Sequence, residues 1–188
     1  MPTNLDRGLM LVASSVAPIA AATAAVAIGF LAAMFAAFAA GDRELGMTLG
    51  WINDTLVLVT YALAAPIVIA VARLLRDAGR IAGALLLALG LAAVAGITAL
   101  QWLLVVGVLT FEEEIGPVSI AFAAFGAWTV VAGWLGARNG TMPKGGRMGL
   151  LGASYVGFPF WTIHVGRSLR KQAQSGQNVS GGGDPGRP

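Results

Sequence analysis

Four or five continuous apolar runs constrain the fold of this chain more than any other feature. Most are long enough to cross a lipid bilayer, and short polar or charged connections separate them. A bilayer core about 30 Å thick needs roughly 20 helical residues to cross it. Backbone groups in lipid must be satisfied within the protein, so a spanning segment is a helix or part of a closed barrel. Barrel strands alternate apolar and polar residues. These runs do not alternate, which predicts an all-α, polytopic transmembrane helix bundle.

The boundaries of the runs predict about five spans within one transmembrane domain over residues 1–171. The predicted spans are 9–40, 52–75, 81–110, 117–137 and 148–166. The last run is short and contains Gly157 and Pro159, so the alternative is four spans followed by a re-entrant or interfacial helix. The polar, Gly-rich segment 172–188 is predicted to be a disordered tail.

Two residues are candidates for helix starts. Asp54, in the segment WINDT, is of the type that caps a helix, here the second. Pro117 follows Gly116 and suits the first turn of the fourth helix, because proline lacks the N–H that a first turn leaves unpaired.

The distribution of charge predicts the orientation of the bundle. Basic residues occupy the second-to-third and fourth-to-fifth connections: Arg73, Arg76, Arg80, Arg138, Lys144 and Arg147. The opposite connections are mainly acidic. The positive-inside rule therefore predicts a cytoplasmic N-terminus, and the Ala-rich composition associates the chain with a bacterial cytoplasmic membrane. Five crossings would place the basic residues after position 166 outside, so the side of the C-terminus stays open.

Small residues recur every four positions in two of the runs. Lipid provides no hydrophobic drive between helices, so close approach through small residues matters for packing. Such ladders predict contact with a helix of the same chain or of a partner, although a chain so rich in Ala produces some of them by composition. The two ladders are Ala13, Ala17, Ala21, Ala25, Gly29, Ala33 and Ala37 in the first run, and Ala84, Ala88, Ala92 and Gly96 in the third.

Several ionisable residues converge at the outer rim if all five runs cross. Carboxylates and an imidazole there could coordinate a divalent cation or pass a proton. The alternative is a solvated Glu triplet that complements the amino end of the fourth helix. The candidate metal ligands are Asp54, Glu112, Glu113, Glu114 and His164.

Two further binding hypotheses concern His164 and a group of arginines. His164 is the sole histidine and could ligate a haem or pigment metal, a remote possibility beside a simple interfacial hydrogen bond; no other cofactor is predicted. Arg73, Arg76 and Arg80 have helical spacing and could hold an anionic lipid headgroup. Among the tryptophans, Trp51, Trp134 and Trp161 fit interfacial anchors, whereas Trp102 and Trp128 are predicted to pack inside the bundle.

No catalytic motif is present. The chain has no cysteine, no HExxH segment and no phosphate-binding glycine loop, so no catalytic residue is predicted and the balance is against an enzyme. The expected partners are membrane lipid and other membrane subunits or further copies, and not nucleic acid. The leading hypothesis is an accessory or scaffold subunit that packs through its Ala/Gly helix faces. The alternative is a small transporter or channel for a cation or proton.

The segment RNGTMPKGGRMGLLGASYVGFPFWTIHVGRSLR shows a small polar turn, a Pro followed by a basic residue, and a helix with Gly-Leu-Leu-Gly. Together with WINDTLVLVTYALAAPIVIAVARLLR, it resembles a family of uncharacterised bacterial multi-pass membrane proteins. The resemblance rests on helix patterns rather than on reactive residues. It implies a polytopic helical fold and carries no activity or site residue.

Overall fold

The computed structural model describes residues 4–76, 79–142 and 156–180, and its regular structure there is entirely helical. The five helices are α1 (Asn4–Ala39), α2 (Arg43–Leu74), α3 (Arg80–Val105), α4 (Phe111–Arg138) and α5 (Phe158–Ser180). Of these, α1 to α4 are long and apolar enough to cross a membrane. The predicted helical membrane bundle is therefore confirmed.

The last helix differs from the predicted fifth span. It is not among the helices apolar enough to cross a membrane. The described helices therefore match the alternative prediction, in which four spans are followed by a helix that does not cross. The first part of that span, 148–155, lies outside the described residues. At its other end α5 continues to Ser180, into the segment expected to be disordered, while 181–188 lie outside the described residues.

Two predicted helix starts are wrong, because helices begin in polar sequence before the apolar run. The cap of α2 is Asp42, whose carboxylate accepts a hydrogen bond from Leu45 N at 3.0 Å, and Asp54 lies well inside the helix. The cap of α4 is Thr110, so Pro117 lies within the helix beyond the first turn. Apolarity marks the lipid-crossing part of a helix, whereas capping chemistry marks where it begins.

The four long helices pack in chain order, and α5 packs against α1. Phe158 and Ala24 line the same small gap, and Gly166 faces Ala17. Because residue numbers rise along α5 as they fall along α1, the two helices are antiparallel. α5 therefore begins beside the middle of α1 and ends on the side of the bundle where α1 begins.

Aromatic rings fill the middle of the bundle. Tyr61 of α2 stacks on Phe158 with ring centroids 5.5 Å apart, and Trp128 of α4 meets Trp161 edge to face at 5.7 Å. The predicted internal position of Trp128 is confirmed, since it is fully buried. Trp161 is also buried, so its prediction as an interfacial anchor is wrong. Trp102, which was expected inside, is 55% exposed.

The buried stripe of α1 follows alternating steps of three and four residues rather than steps of four. Its members are Met10, Ala13, Ala17, Ala20, Ala24 and Ala27, and Ala21 and Ala37 of the predicted ladder are also buried. Four residues turn an α-helix by about 40° more than one full rotation, so a ladder with steps of four leaves the contact surface, and Ala25 and Gly29 are exposed.

The same drift separates the predicted ladder of α3 from its packing face. Ala84, Ala88 and Ala92 are exposed, so they do not pack within the described part of the chain, whereas a Cβ atom at Gly96 would lie 3.6 Å from that of Ala121 in α4. Five buried residues have the alternating spacing instead, and they are Gly83, Leu86, Gly90, Ala93 and Ile97, with Val94 buried next to Ala93. Steps averaging 3.5 residues are those of left-handed helix packing.

Candidate functional site

Three polar side chains from different helices are buried near one end of the bundle. Asn53 of α2, Gln101 of α3 and Glu114 of α4 are 7%, 4% and 2% exposed. This is the end where α3 stops, because Trp51 Nε1 of α2 donates to Val105 O at 3.3 Å. Burying a polar side chain costs free energy unless the group is hydrogen-bonded. The hydrogen-bond partners of these three side chains therefore show which residues form the site.

Two hydrogen bonds organise these side chains into what we call the polar cluster, formed by Asn53, Asp54, Gln101 and Glu114. Gln101 Nε2 donates to Glu114 Oε1 at 3.0 Å, and this bond joins α3 to α4. Asn53 Nδ2 donates to Asp54 Oδ1 at 3.2 Å within α2. Asp54 lies one turn after Trp51 and Gln101 one turn before Val105, so the hydrogen bond between Trp51 and Val105 places Asp54 and Gln101 at a similar level of the bundle. A half-buried carboxyl group of α2 thus lies near the level of the hydrogen bond that joins α3 to α4.

Two oxygen atoms beside the polar cluster have no hydrogen-bond partner in the described structure. They are Gln101 Oε1 and Thr98 Oγ1, both fully buried. Residues three apart on a helix share a face, so both oxygens lie on the packed side of α3. Native proteins leave few such groups unpaired, and an ion or a water is a common explanation.

The three glutamates of the predicted outer rim have different roles. Glu112 and Glu113 are exposed, and the Glu113 carboxylate accepts hydrogen bonds from Thr110 N at 2.8 Å and Thr110 Oγ1 at 2.9 Å. This reciprocal capping box starts α4. Of the three glutamates, only Glu114 has its side chain buried in the bundle. The alternative prediction was that the triplet is solvated and stabilises the amino end of α4. It therefore describes Glu113 but not Glu114.

The structure does not bring His164 into the polar cluster. His164 lies two residues before Gly166, whose neighbours are Ala17 and Ser14 in the first half of α1, whereas the polar cluster lies where α4 begins. Among residues 4–76, 79–142 and 156–180, no group of three or more His, Cys, Asp or Glu side chains could hold a metal ion. The five-residue convergence predicted from five crossings is thus not formed there.

The arginines proposed to hold a lipid headgroup do not share one helix face. Arg73 is in α2, Arg76 follows its end, and Arg80 is the first residue of α3. Arg73 Nη1 forms an ion pair with Asp6 Oδ1 of α1 at 3.1 Å. The turn between α2 and α3 interrupts the helical spacing on which that prediction rested.

A sequence signal could have found Gln101, which was missed, and distinguished Glu114 from Glu112 and Glu113. Glu114 lies four residues before the buried Val118, and Gln101 lies four residues after the buried Ile97. Both therefore continue the buried stripe of their own helix, which a search limited to apolar residues overlooks.

Comparison with protein-family models, curated proteins and solved structures finds no match for this chain. The resemblance to uncharacterised bacterial membrane proteins therefore stays a prediction, and any functional argument rests on the chain's own geometry.

Proposed function

We propose that this protein is a non-enzymatic subunit of the bacterial cytoplasmic membrane that associates with another membrane protein through α1. The observation that carries the proposal is a second small-residue stripe on that helix. It has the same alternating spacing as the buried stripe but is exposed. We call it the small face of α1, formed by Ala22, Ala25, Gly29, Ala32 and Ala36.

The burial of α1 supports this proposal. In its most apolar stretch 22% of residues are buried, against 33% to 50% in the other three long helices. A Cβ atom added at Gly29 would meet nothing within 4 Å, so another backbone could approach closely there. Small residues allow such close approach, and close packing drives helix association in lipid.

The aromatic core favours packing over conduction as the main role. Phe125 packs against Tyr61 at 5.2 Å and against Trp128 at 5.5 Å between ring centroids. These rings fill the bundle beyond the polar cluster. Translocation of a cation or proton is the second candidate function, and the buried carboxyl group of Glu114 is the observation that favours it, because ionisable groups inside membrane bundles often mark transport paths.

The proposed orientation places the end of α5 in the cytoplasm. The second half of α5 carries three exposed basic residues, Arg167, Arg170 and Lys171. They lie toward the side of the bundle where α1 begins, because the two helices are antiparallel. This is the side of Arg73, whose ion pair with Asp6 joins the start of α1 to the end of α2. In the four-span arrangement these basic residues therefore follow the positive-inside rule, and the conflict that five crossings would create does not arise.

The native mass of the protein in mild detergent and in nanodiscs tests the assembly proposal. We expect the protein to purify in a complex larger than its own 19.2 kDa. Ala25→Leu with Gly29→Leu should release it from that complex, because the added side chains block close approach. The control is Val12→Leu with Val26→Leu, at exposed positions of α1 outside the small face, which should leave the complex intact. A stable monomer from native membranes with its own transport activity would overturn the proposal.

A further inference from the structure

Neither carboxyl group of the polar cluster has a cationic partner among the described side chains. Asp54 and Glu114 receive hydrogen bonds from the neutral amides of Asn53 and Gln101. Within the described ranges, the ion pair that forms is Arg73 with Asp6, so no Lys or Arg side chain pairs with either carboxylate. A buried carboxylate such as that of Glu114 needs a counter-charge or strong hydrogen bonds, and the half-buried Asp54 lies near the same level of the bundle.

The unpaired oxygen of Gln101 provides an independent observation at the same place. Its amide group donates through Nε2 to Glu114, while Oε1 is buried without a partner, as is Thr98 Oγ1 one turn earlier. Gln101 is 4% exposed, so bulk solvent does not satisfy this oxygen. The available groups are therefore carboxylate, amide and hydroxyl oxygens, the ligands that hard cations prefer.

We propose that Asp54, Glu114 and the side-chain oxygen of Gln101 bind a divalent cation of the calcium or magnesium type. Two carboxylates match one divalent charge, and the amide oxygen supplies a neutral third ligand. Calcium is the better probe, because it accepts irregular mixtures of carboxylate, carbonyl and water oxygens, whereas magnesium requires near-octahedral geometry. The cation would join α2, α3 and α4 at the end of the bundle where α4 begins.

Calcium binding to the full chain in nanodiscs of neutral phosphatidylcholine tests this site. We expect one saturable site by equilibrium dialysis with ⁴⁵Ca²⁺, with a Kd on the order of 10⁻⁴ to 10⁻³ M, as in extracellular calcium modules. The thermal midpoint of the native protein should rise with calcium concentration, because a ligand that binds only the folded state stabilises it. Sodium or potassium at the same concentration should not reproduce the rise.

Three variants assign the ligands. Asp54→Asn, Glu114→Gln and Gln101→Met should each weaken calcium binding at least about tenfold, the loss that outer-shell partners alone produce in metal sites. The matched control is Glu112→Gln, which removes an exposed carboxylate from the same first turn of α4 and should leave the affinity unchanged.

Three results would overturn the site. One is the absence of saturable binding to the native chain, which would leave a buried water as the partner of Gln101. Another is equal weakening by Glu112→Gln, which would indicate diffuse attraction to surface charge. The third is a calcium affinity that is unchanged in both single variants, Asp54→Asn and Gln101→Met. The native-chain measurements decide the question even if Glu114→Gln fails to fold.

Discussion

Gly166 of α5 and Ala17 of α1 lie so close that a Cβ atom at position 166 would be 2.6 Å from the Cβ of Ala17. Neither partner has a flexible side chain that could move away. The separation of the first and last described helices is therefore set by the absence of a side chain at Gly166, and Ala17 is fully buried beneath it.

Gly166→Ala should destabilise the protein by about 1–3 kcal/mol, because overpacking forces a backbone shift. Gly8→Ala is the matched control, since a Cβ there meets nothing within 4 Å, and it should be neutral or slightly stabilising. The measurement is the unfolding midpoint in detergent, followed by tryptophan fluorescence, to which the buried Trp161 of α5 contributes. Equal midpoints for the two variants would contradict the close contact.

Gln101→Leu should destabilise the bundle by about 1–3 kcal/mol, because Glu114 loses its donor while it stays buried. In the double variant Gln101→Leu/Glu114→Leu much of that loss should be recovered, because two apolar side chains leave no unpaired polar group. Trp102→Leu, at an exposed neighbouring position, is the control. Additive losses in the double variant would show that the two side chains do not interact.

Cysteine labelling should place the end of α4 and the end of α5 on the same side of the membrane, opposite the turn between α3 and α4. The native chain has no cysteine, so single cysteines report without background. In intact cells an impermeant maleimide should label Val108→Cys in the turn before α4, and should reach Asn139→Cys and Gln174→Cys only after permeabilisation. Labelling of Gln174→Cys together with Val108→Cys would instead support a fifth crossing.

Asp6→Asn should lower the stability by no more than about 1 kcal/mol, although it breaks the ion pair with Arg73. The side chains of Arg73 and Asp6 are 38% and 27% exposed, and solvent-exposed pairs contribute about 0.2–1 kcal/mol. The difference in unfolding midpoint between Asp6→Asn and the native chain should shrink further at high salt. A large loss that salt does not change would mean that Asp6 has a role beyond this pair.

The sequence predicted the four long apolar helices because apolar length is a direct physical requirement of the bilayer, whereas the last described helix is not among those apolar enough to cross. It predicted helix ends poorly, because Asp42 and Thr110 begin helices in polar sequence that the lipid criterion ignores. The ladder of α3 does not mark the face that is buried within the described chain, because it counted small residues, whereas burial follows the alternating three-and-four spacing that includes Gly90 and Ile97. Contact of its exposed alanines with a partner helix stays a prediction.

The candidate site was predicted only in part. Asp54 and Glu114 were named, but Gln101 was not, because an uncharged amide inside an apolar run carries no evident chemistry until Glu114 is seen beside it. His164 was included because five crossings would have brought it to the same rim. The direction of α5, which depends on contacts distant in sequence such as Gly166 with Ala17, could not be read from local composition.

The contact between the first and last described helices also governs the order of assembly. The part of α1 that carries Ser14 and Ala17 meets Gly166 only when α5 has been synthesised, about 150 residues later. Contacts between such distant segments close late, because a long loop must be ordered first. In a ribosome-bound chain that ends before α5, the face of α1 that α5 covers therefore has no partner within the chain. Cellular quality control could recognise that uncovered face until translation is complete.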